Sequence, residues 1–267
     1  MAFRLWFALP HALHRGGLRL VASWLLVAAA SALVTPVLAA PGPRVSKAGV
    51  SKAGDTPPVS TAKTPAEAGL TDIRRFVPDM AETIHYATSD NFTGQPVDGY
   101  DAPKCFLRTA AAQALAAVEA DLRKDGYRLR LWDCYRPVRA VAAFVRWAGN
   151  LADVRTKAAH YPALGKDKLL GEYIAPVSGH SRGATVDLTL MRCEGARCKP
   201  LDMGTDFDFF DPRAHTDDPH ITSVQRTNRQ HLLRAMAAHG FVNYAAEWWH
   251  YTLPSAATQW IYDVPVR

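Results

Sequence analysis

The sequence predicts an α+β domain in which helices flank a central, mostly antiparallel sheet. Helical and strand-like segments follow one another without the regular alternation that parallel βαβ units require. Several of the strand-like segments are short and end in hairpin-like turns. With 267 residues, 48% of them hydrophobic and 21% charged, the chain is also long and apolar enough to bury one sizeable core.

Residues 1–40 are expected to be a signal peptide and not part of this domain. A basic stretch with three arginines precedes an apolar run from Val21 to Val34, and small residues suited to cleavage follow the run. This order is typical of proteins that are exported to the periplasm or secreted. An uncleaved inner-membrane anchor is the alternative, and only in that case would the chain be tethered to a membrane.

Residues 41–68 are predicted to be a flexible tether, which leaves residues 69–267 as the folded domain. The tether is rich in Pro, Ala, Lys, Ser and Thr, so it cannot bury enough apolar surface to offset the entropy of ordering. The first 68 residues also carry five of the six net positive charges, and the domain keeps a net charge of +1. We therefore expect no nucleic-acid partner, and no feature requires an obligatory protein partner.

The first half of the domain is predicted to contain two helices and a strand between them. Apolar residues at helical spacing indicate a helix that is capped by Thr109 and ends at Gly126. The alternating "RLRLWDCY" predicts a half-buried strand with Asp133 on the same face as two leucines. Pro137 then begins a second helix, "PVRAVAAFVRWAGN". Residues 149–177 show no clear period and are expected to be a long loop.

The second half is predicted to consist of a strand, "ATVDLTLM", a helix that ends at Gly240, and one or two strands in "FVNYAAEWWHYTL". The four cysteines make disulfides plausible in an exported chain. Cys193 and Cys198 enclose a glycine-containing loop, which favours a bridge that closes a hairpin, and Cys105 with Cys134 follows by elimination. A four-cysteine metal site is disfavoured because paired CxxC spacings are absent.

The stretch "SGHSRGATVD" holds the first candidate metal ligands. His180 and Asp187 are zinc-ligand types, and Gly183 between them allows the chain to turn so that they converge. Alone the pair is a weak signal, because such residues in a polar loop are more often on the surface. His250 in "EWWHY" is the best third ligand, with Glu247 as a base. Residues three apart face opposite sides of a strand, so Glu247 is expected at the strand's entrance or on a bulge.

Arg136 in "WDCYRP" is the third element of the candidate site. It follows a predicted strand and precedes a predicted helix, so its guanidinium can project from an element end into a cleft and stabilise an oxyanion. The alternative is an ordinary surface arginine paired with a carboxylate.

Five motifs in order, "IHYATSDNFTGQPVDGY", "WDCYRP", "SGHSRGATVDLTL", "MGTDFDFF" and "EWWHY", resemble the VanX-type D-alanyl-D-alanine dipeptidases over about residues 72–267. The resemblance implies the fold shared by lysostaphin-like and D-Ala-D-Ala metallopeptidases and the hedgehog domain, with a zinc site in a cleft. It implies one Zn²⁺ per chain with His180, Asp187 and His250 as ligands. Glu247 would be the general base and Arg136 would stabilise the tetrahedral intermediate.

The same resemblance implies that Tyr86, Ser178 and Asp208 hold a small D,D-dipeptide, with Asp208 facing its ammonium. Asp133 would orient neighbouring groups. The predicted reaction is hydrolysis of D-Ala-D-Ala in cell-wall dipeptide turnover. A D,D-carboxypeptidase or endopeptidase acting on longer wall peptides is the nearest alternative, and a non-catalytic zinc-binding module is another. The export signal and the Cys105 and Cys134 positions depart from the cytoplasmic members, which favours scavenging over glycopeptide resistance.

Overall fold

The computed structural model describes residues 56–267, so the predicted signal peptide and the first part of the predicted tether lie outside the described residues. The helices are α1 (Thr109–Lys124), α2 (Val138–Gly149), α3 (Lys157–His160) and α4 (Ser223–Ala237). The strands are β1 (Leu70–Asp72), β2 (Ala81–Glu82), β3 (Phe106–Arg108), β4 (Tyr127–Asp133), β5 (Thr185–Glu194), β6 (Arg197–Pro200), β7 (Val242–Asn243) and β8 (His250–Thr252). No helix in residues 56–267 is long and apolar enough to cross a bilayer.

The main sheet has the strand order β2-β4-β5-β8-β7, and β6 pairs with the far end of β5. Strand β2 runs parallel to β4, and the other neighbours in this sheet are antiparallel. Strands β1 and β3 form a separate antiparallel pair. The predicted α+β class with a mostly antiparallel sheet is therefore confirmed.

Strands β4 and β5 form the centre of the hydrophobic core. On β4 the side chains of Leu129, Leu131 and Asp133 are fully buried and their neighbours are half-exposed, as the alternating sequence predicts. On β5 every residue from Thr185 to Met191 is buried, which is the pattern of a central strand covered on both faces. Asp133 and Asp187 are thus fixed at the end of β4 and the first half of β5.

The buried carboxylate of Glu119 joins α1 to β4. Its Oε1 accepts hydrogen bonds from Nε of Arg123 at 2.8 Å and of Arg128 at 2.9 Å, and its Oε2 accepts one from the backbone N–H of Leu129 at 2.7 Å. The side chain is 1% exposed, so these donors replace the water that a buried carboxylate would otherwise require. Glu119 is therefore a structural residue of the α1–β4 contact.

Two sequence-based boundaries are corrected by the structure. Helix α1 begins at Thr109, but the capping position is Arg108, whose side chain makes no capping hydrogen bond. The Thr109 hydroxyl instead lies 2.8 Å from the hydroxyl of Thr71 on the neighbouring β1, and this contact joins the start of α1 to β1.

The last residues of the segment predicted as a tether pack against the domain. Val59 forms a parallel bridge with Ile261, and the Ser60 N–H donates to the Ile261 carbonyl at 2.8 Å. Ala68 is 1% exposed. The expected boundary at residue 68 therefore moves to about Pro58, because backbone hydrogen bonds hold a segment whose side chains supply little apolar surface.

Both predicted disulfides are confirmed. Cys193 and Cys198 are directly paired across β5 and β6, so their bridge closes the predicted hairpin. Cys105, just before β3, is joined to Cys134, just after β4. No free cysteine remains among residues 56–267.

Candidate metal centre and active site

Sheet register brings together the three predicted metal ligands. Asp187 on β5 is paired directly with His250, the first residue of β8. His180 lies in the short 3₁₀ turn Gly179–Arg182, just before β5. The turn ends at Gly183, whose φ of +74° is in the left-handed region that glycine adopts without strain. A Cβ at Gly183 would lie 2.5 Å from Leu70 Cδ2, so the predicted role of this glycine in the turn is consistent with both its backbone and its surroundings.

The ligand atoms of these residues all lie within 4.8 Å of one another. His180 Nε2 is 3.2 Å from Asp187 Oδ2 and 3.3 Å from His250 Nδ1, and His250 Nδ1 is 3.1 Å from Asp187 Oδ1. Asp187 Oδ1 is buried, and its contact with His250 lacks hydrogen-bond geometry, so the oxygen has no hydrogen-bond partner among the described residues. A cation would satisfy this oxygen and both facing nitrogens. The donor set therefore fits a metal ion.

The ionisable side chains at this centre strongly change the pKa values of one another. Burial raises the pKa of Asp187, but His180 and His250 outweigh it and hold that pKa well below its usual range. Burial lowers the pKa of His250, but the Asp187 charge and the close contacts of the imidazole with Asp187 and Glu247 outweigh it and raise the pKa to about 10. Negative charge thus dominates around these ligand atoms, which favours a bound cation.

Glu247 lies beside the ligand cluster, at the entrance to β8. Its Oε2 is 3.3 Å from His250 Nδ1, and the His250 N–H donates to the Glu247 carbonyl at 3.3 Å. The residue is in the turn that precedes the strand, so the alternation of strand side chains does not apply to it. Its side chain is 20% exposed, whereas Asp187 is almost fully buried. Glu247 is therefore the carboxylate at this cluster that substrate and water can reach.

The Arg136 guanidinium is mostly covered and is held from several sides. Its Nε donates to Asp133 Oδ2 at 3.0 Å, and its Nη2 lies 2.9 Å from the same oxygen and 3.7 Å from Asp187 Oδ2. The guanidinium carbon lies 5.2 Å from the ring centroid of Tyr86 and 5.0 Å from that of Phe144. The predicted surface alternative is thus excluded, because the arginine points into the site.

Asp133 orients the groups on both sides of it. Besides Arg136 it accepts a hydrogen bond from the Tyr100 hydroxyl at 2.5 Å, and its Oδ2 lies 3.4 Å from His180 Nδ1. Burial raises the pKa of Asp133, and the charges of Arg136 and His180 oppose that rise. Its contacts agree with the predicted orienting role.

Tyr86, Asp208 and Ser178 also lie at this site. The buried Tyr86 hydroxyl donates to Asp208 Oδ2 at 2.8 Å, and Arg136 Nη1 lies 3.5 Å from the Ser178 hydroxyl. Among residues 56–267, Asp208 is the one non-glycine residue with a positive φ, 54°. Burial, followed by the charge of Asp187, raises the pKa of Asp208 well above its usual range.

Some residues of the site escaped prediction from the sequence. The Tyr100 hydroxyl and the Phe144 ring contact Asp133 and Arg136, respectively. Tyr100 ends the quoted motif "IHYATSDNFTGQPVDGY", which was a usable signal, whereas Phe144 was assigned only to a helix face. Arg182, the last residue of the turn that carries His180, donates to the Thr258 carbonyl and so holds the C-terminal segment.

Comparison with known proteins agrees with this geometry. Residues 66–266 match the Peptidase_M15 family, described as D-ala-D-ala dipeptidase. A "D-alanyl-D-alanine dipeptidase" of Streptomyces coelicolor is 47% identical over 183 residues, which cover 67% of this chain and 90% of that protein. Proteins of the same name from Enterococcus faecalis and Escherichia coli are 43% and 34% identical, over 63% and 71% of this chain and 83% and 86% of their own lengths.

Proposed function

This chain belongs to the M15 peptidase family of D-Ala-D-Ala dipeptidases, and on that basis we propose that it hydrolyses free D-alanyl-D-alanine with one zinc ion per chain. The observation that carries the proposal is the convergence of His180, Asp187 and His250, with Glu247 and Arg136 beside them. Buried carboxylate oxygens normally have a hydrogen-bond partner, and Asp187 Oδ1 has none among the described residues, which supports a cation bound at this oxygen.

Zinc is the metal that this donor set favours. Two imidazole nitrogens and one carboxylate are typical of zinc peptidase sites in which the fourth position stays open. His180, Asp187 and His250 would hold the ion. A zinc ion bound there supplies Lewis acidity, which lowers the pKa of water and polarises the carbonyl of the scissile bond.

Glu247 is proposed to be the general base and then the general acid. Its carboxylate lies 3.3 Å from the His250 nitrogen that faces the cluster, and it is partly exposed to the cleft. From this position it can accept a proton from the attacking water and return that proton to the leaving amine. The other nearby carboxylate, Asp187, is held by two histidines and is not available for proton transfer.

Arg136 is proposed to stabilise the oxyanion that develops on the scissile carbonyl. Asp133 holds its Nε and Nη2, so the guanidinium is fixed before substrate arrives. Its Nη1 has only a long contact of 3.5 Å with Ser178, so its N–H groups remain available to a substrate oxygen. A donor fixed in advance costs no reorganisation during the reaction.

The dipeptide is proposed to be held by Tyr86, Ser178 and Asp208. Asp208 is buried and is fixed by the Tyr86 hydroxyl at 2.8 Å, so it presents one defined carboxylate oxygen to an ammonium. An acylated amino terminus carries no charge to pair with this group and adds bulk to a buried position. This arrangement supports a preference for the free dipeptide over longer wall peptides.

Export to the periplasm or beyond the cell is also proposed, with residues 1–40 as the signal peptide. The composition of these residues supports it, as do the two disulfides, which persist in oxidising compartments. In that location the enzyme would turn over wall-derived dipeptide. Fractionation of cells together with the mass of the mature amino terminus tests this, and a full-length chain in the cytoplasm would contradict it.

The test of the activity is hydrolysis of D-Ala-D-Ala by the purified protein before and after a chelator removes its metal. Glu247→Ala should keep the metal but lose about 10²- to 10⁴-fold in kcat, the usual contribution of a general base. Glu194→Ala, an exposed glutamate at the far end of β5, is the matched control and should retain full turnover. Turnover that resists the chelator, or that survives in Glu247→Ala, would contradict the proposal.

A further inference from the structure

The Cys105–Cys134 disulfide lies against the metal centre. The two Cα atoms are 5.3 Å apart, and both residues are buried. Cys134 immediately follows Asp133 and comes two residues before Arg136. The bridge is therefore attached to the chain segment that carries two residues of the site.

The backbone carbonyl of Cys134 accepts a hydrogen bond from Nδ1 of His180 at 2.7 Å. A carbonyl oxygen can only accept, so this contact requires the proton of the neutral imidazole to be on Nδ1. The lone pair is then on Nε2, the atom that faces Asp187 and His250. Asp133 Oδ2 lies farther from the same nitrogen, at 3.4 Å, so the Cys134 carbonyl is the nearer of the two acceptors that favour a lone pair on the metal-facing atom of His180.

Strand β3, which follows Cys105, contacts both the segment that carries Cys134 and the turn that carries His180. The Phe106 carbonyl accepts from the Tyr135 N–H at 2.9 Å, next to Cys134. The Arg108 N–H donates to the carbonyl of Gly183 at 2.7 Å, at the end of the turn that carries His180. One side of the disulfide is therefore fixed to the strand that supports the His180 turn, and the other side to the carbonyl that orients the imidazole.

We propose that the Cys105–Cys134 disulfide is a positioning element of the metal site, which holds the Cys134 carbonyl against His180 and so sets the affinity for the metal. This inference rests on the proposed function for the identity of the metal. The Cys193–Cys198 bridge has no such connection, because it joins the half-exposed tip of the β5–β6 hairpin. It offers a matched control within the same chain.

The test compares Cys105→Ala/Cys134→Ala with Cys193→Ala/Cys198→Ala and the wild-type protein. Zn²⁺ affinity is measured by competition with a chromophoric chelator at a temperature where circular dichroism shows each protein folded. The first variant should bind Zn²⁺ about 10- to 100-fold more weakly, as is usual when the group that orients a metal-ligating histidine is lost. The second should stay within about twofold of wild type.

A second readout separates positioning from a purely structural role. In metal-free protein with ¹⁵N-labelled histidine, the His180 nitrogens should report the Nδ1–H tautomer in wild type and the hairpin variant, and a mixture in Cys105→Ala/Cys134→Ala. His180→Gln identifies the signals. A loss of thermal stability with an unchanged tautomer and unchanged Zn²⁺ affinity would overturn the proposal.

If the double variant does not fold, the same readouts apply to Cys193→Ala/Cys198→Ala, whose remaining disulfide is reduced by a phosphine. Water supplies the oxygen of the phosphine oxide and the protons of the two thiols. A reduced protein that stays folded and binds Zn²⁺ more weakly supports the proposal, and one that unfolds outright overturns it. Both measurements are made without substrate. Failure of the proposed activity would instead appear as oxidised, zinc-loaded wild type that does not cleave D-Ala-D-Ala.

Discussion

Asp208→Asn replaces an ionisable carboxyl group by a neutral amide with little other change. Asparagine has the same shape and tolerates the positive φ of 54° at this position. Its amide oxygen can still accept the hydrogen bond that the Tyr86 hydroxyl donates at 2.8 Å. Any effect on catalysis therefore reports the charge of the carboxylate that we propose to face the substrate's ammonium.

The magnitude follows from the burial of Asp208. A hydrogen bond between charged groups contributes about 1.5 to 3 kcal/mol. Burial raises the pKa of Asp208, so part of this energy is used to ionise the carboxyl group when the ammonium binds. The expected loss in kcat/KM for free D-Ala-D-Ala is about 10- to 100-fold, mostly through KM.

The assay measures release of D-alanine from D-Ala-D-Ala and from its N-acetylated form, with wild type and Asp208→Asn. The acetylated substrate has no ammonium, so the substitution should change its kcat/KM by less than about threefold. The ratio of kcat/KM for the free dipeptide to kcat/KM for the acetylated form should therefore fall by about the same factor as kcat/KM for the free dipeptide. An equal loss of kcat/KM on both substrates, or no loss on either, would refute the role of Asp208. It would favour an enzyme that acts on longer wall peptides.

Two further predictions concern stability. Burial raises the pKa of Glu82 from 4.5 to about 7, so the folded state binds more protons than the unfolded state across that interval and stability falls as the pH rises through it. Glu82→Gln should reduce the difference in the free energy of unfolding between pH 4.5 and pH 7.5 by about 1 to 2 kcal/mol, as measured by urea unfolding at both pH values. The value is discounted for solvent screening because the paired Arg74 is half-exposed. An unchanged pH dependence of stability in the variant would contradict the prediction. Glu119→Ala should cost about 1 to 3 kcal/mol in the same assay because it leaves the buried Leu129 N–H and two arginine Nε–H groups without their acceptor, although both arginines keep contacts with Asp79, whereas Glu194→Ala should cost less than about 0.5 kcal/mol.

The ligand set could be predicted from the sequence because each member carries a chemical signature and lies in a recognisable element. Asp187 is in a strand whose apolar run predicts a central position, and β8 pairs beside it in the register that places His250 opposite. The expected place of Glu247 at the strand entrance follows from the two-residue repeat of strands. Local pattern and residue chemistry nominate these residues, and the resemblance of five motifs in order supplies the complete set.

Other features could not be predicted because they depend on the backbone or on distant contacts. The acceptor for His180 is the carbonyl of Cys134, and a backbone carbonyl has no residue-specific signature. Thr109 is a favourable capping residue type, yet its hydroxyl is hydrogen-bonded to the hydroxyl of Thr71 on β1 and not to the helix backbone. The packing of residues 58–60 depends on hydrogen bonds with Ile261, about 200 residues away in the chain.

The most direct test of the central claim is a zinc titration of metal-free protein with D-Ala-D-Ala hydrolysis as the readout. The claim of one catalytic zinc per chain at His180, Asp187 and His250 predicts activity that rises linearly to one equivalent and then stays constant. His250→Ala should remain inactive at one equivalent. Hydrolysis without added metal, a plateau at another stoichiometry, or no hydrolysis at any zinc concentration would contradict the claim.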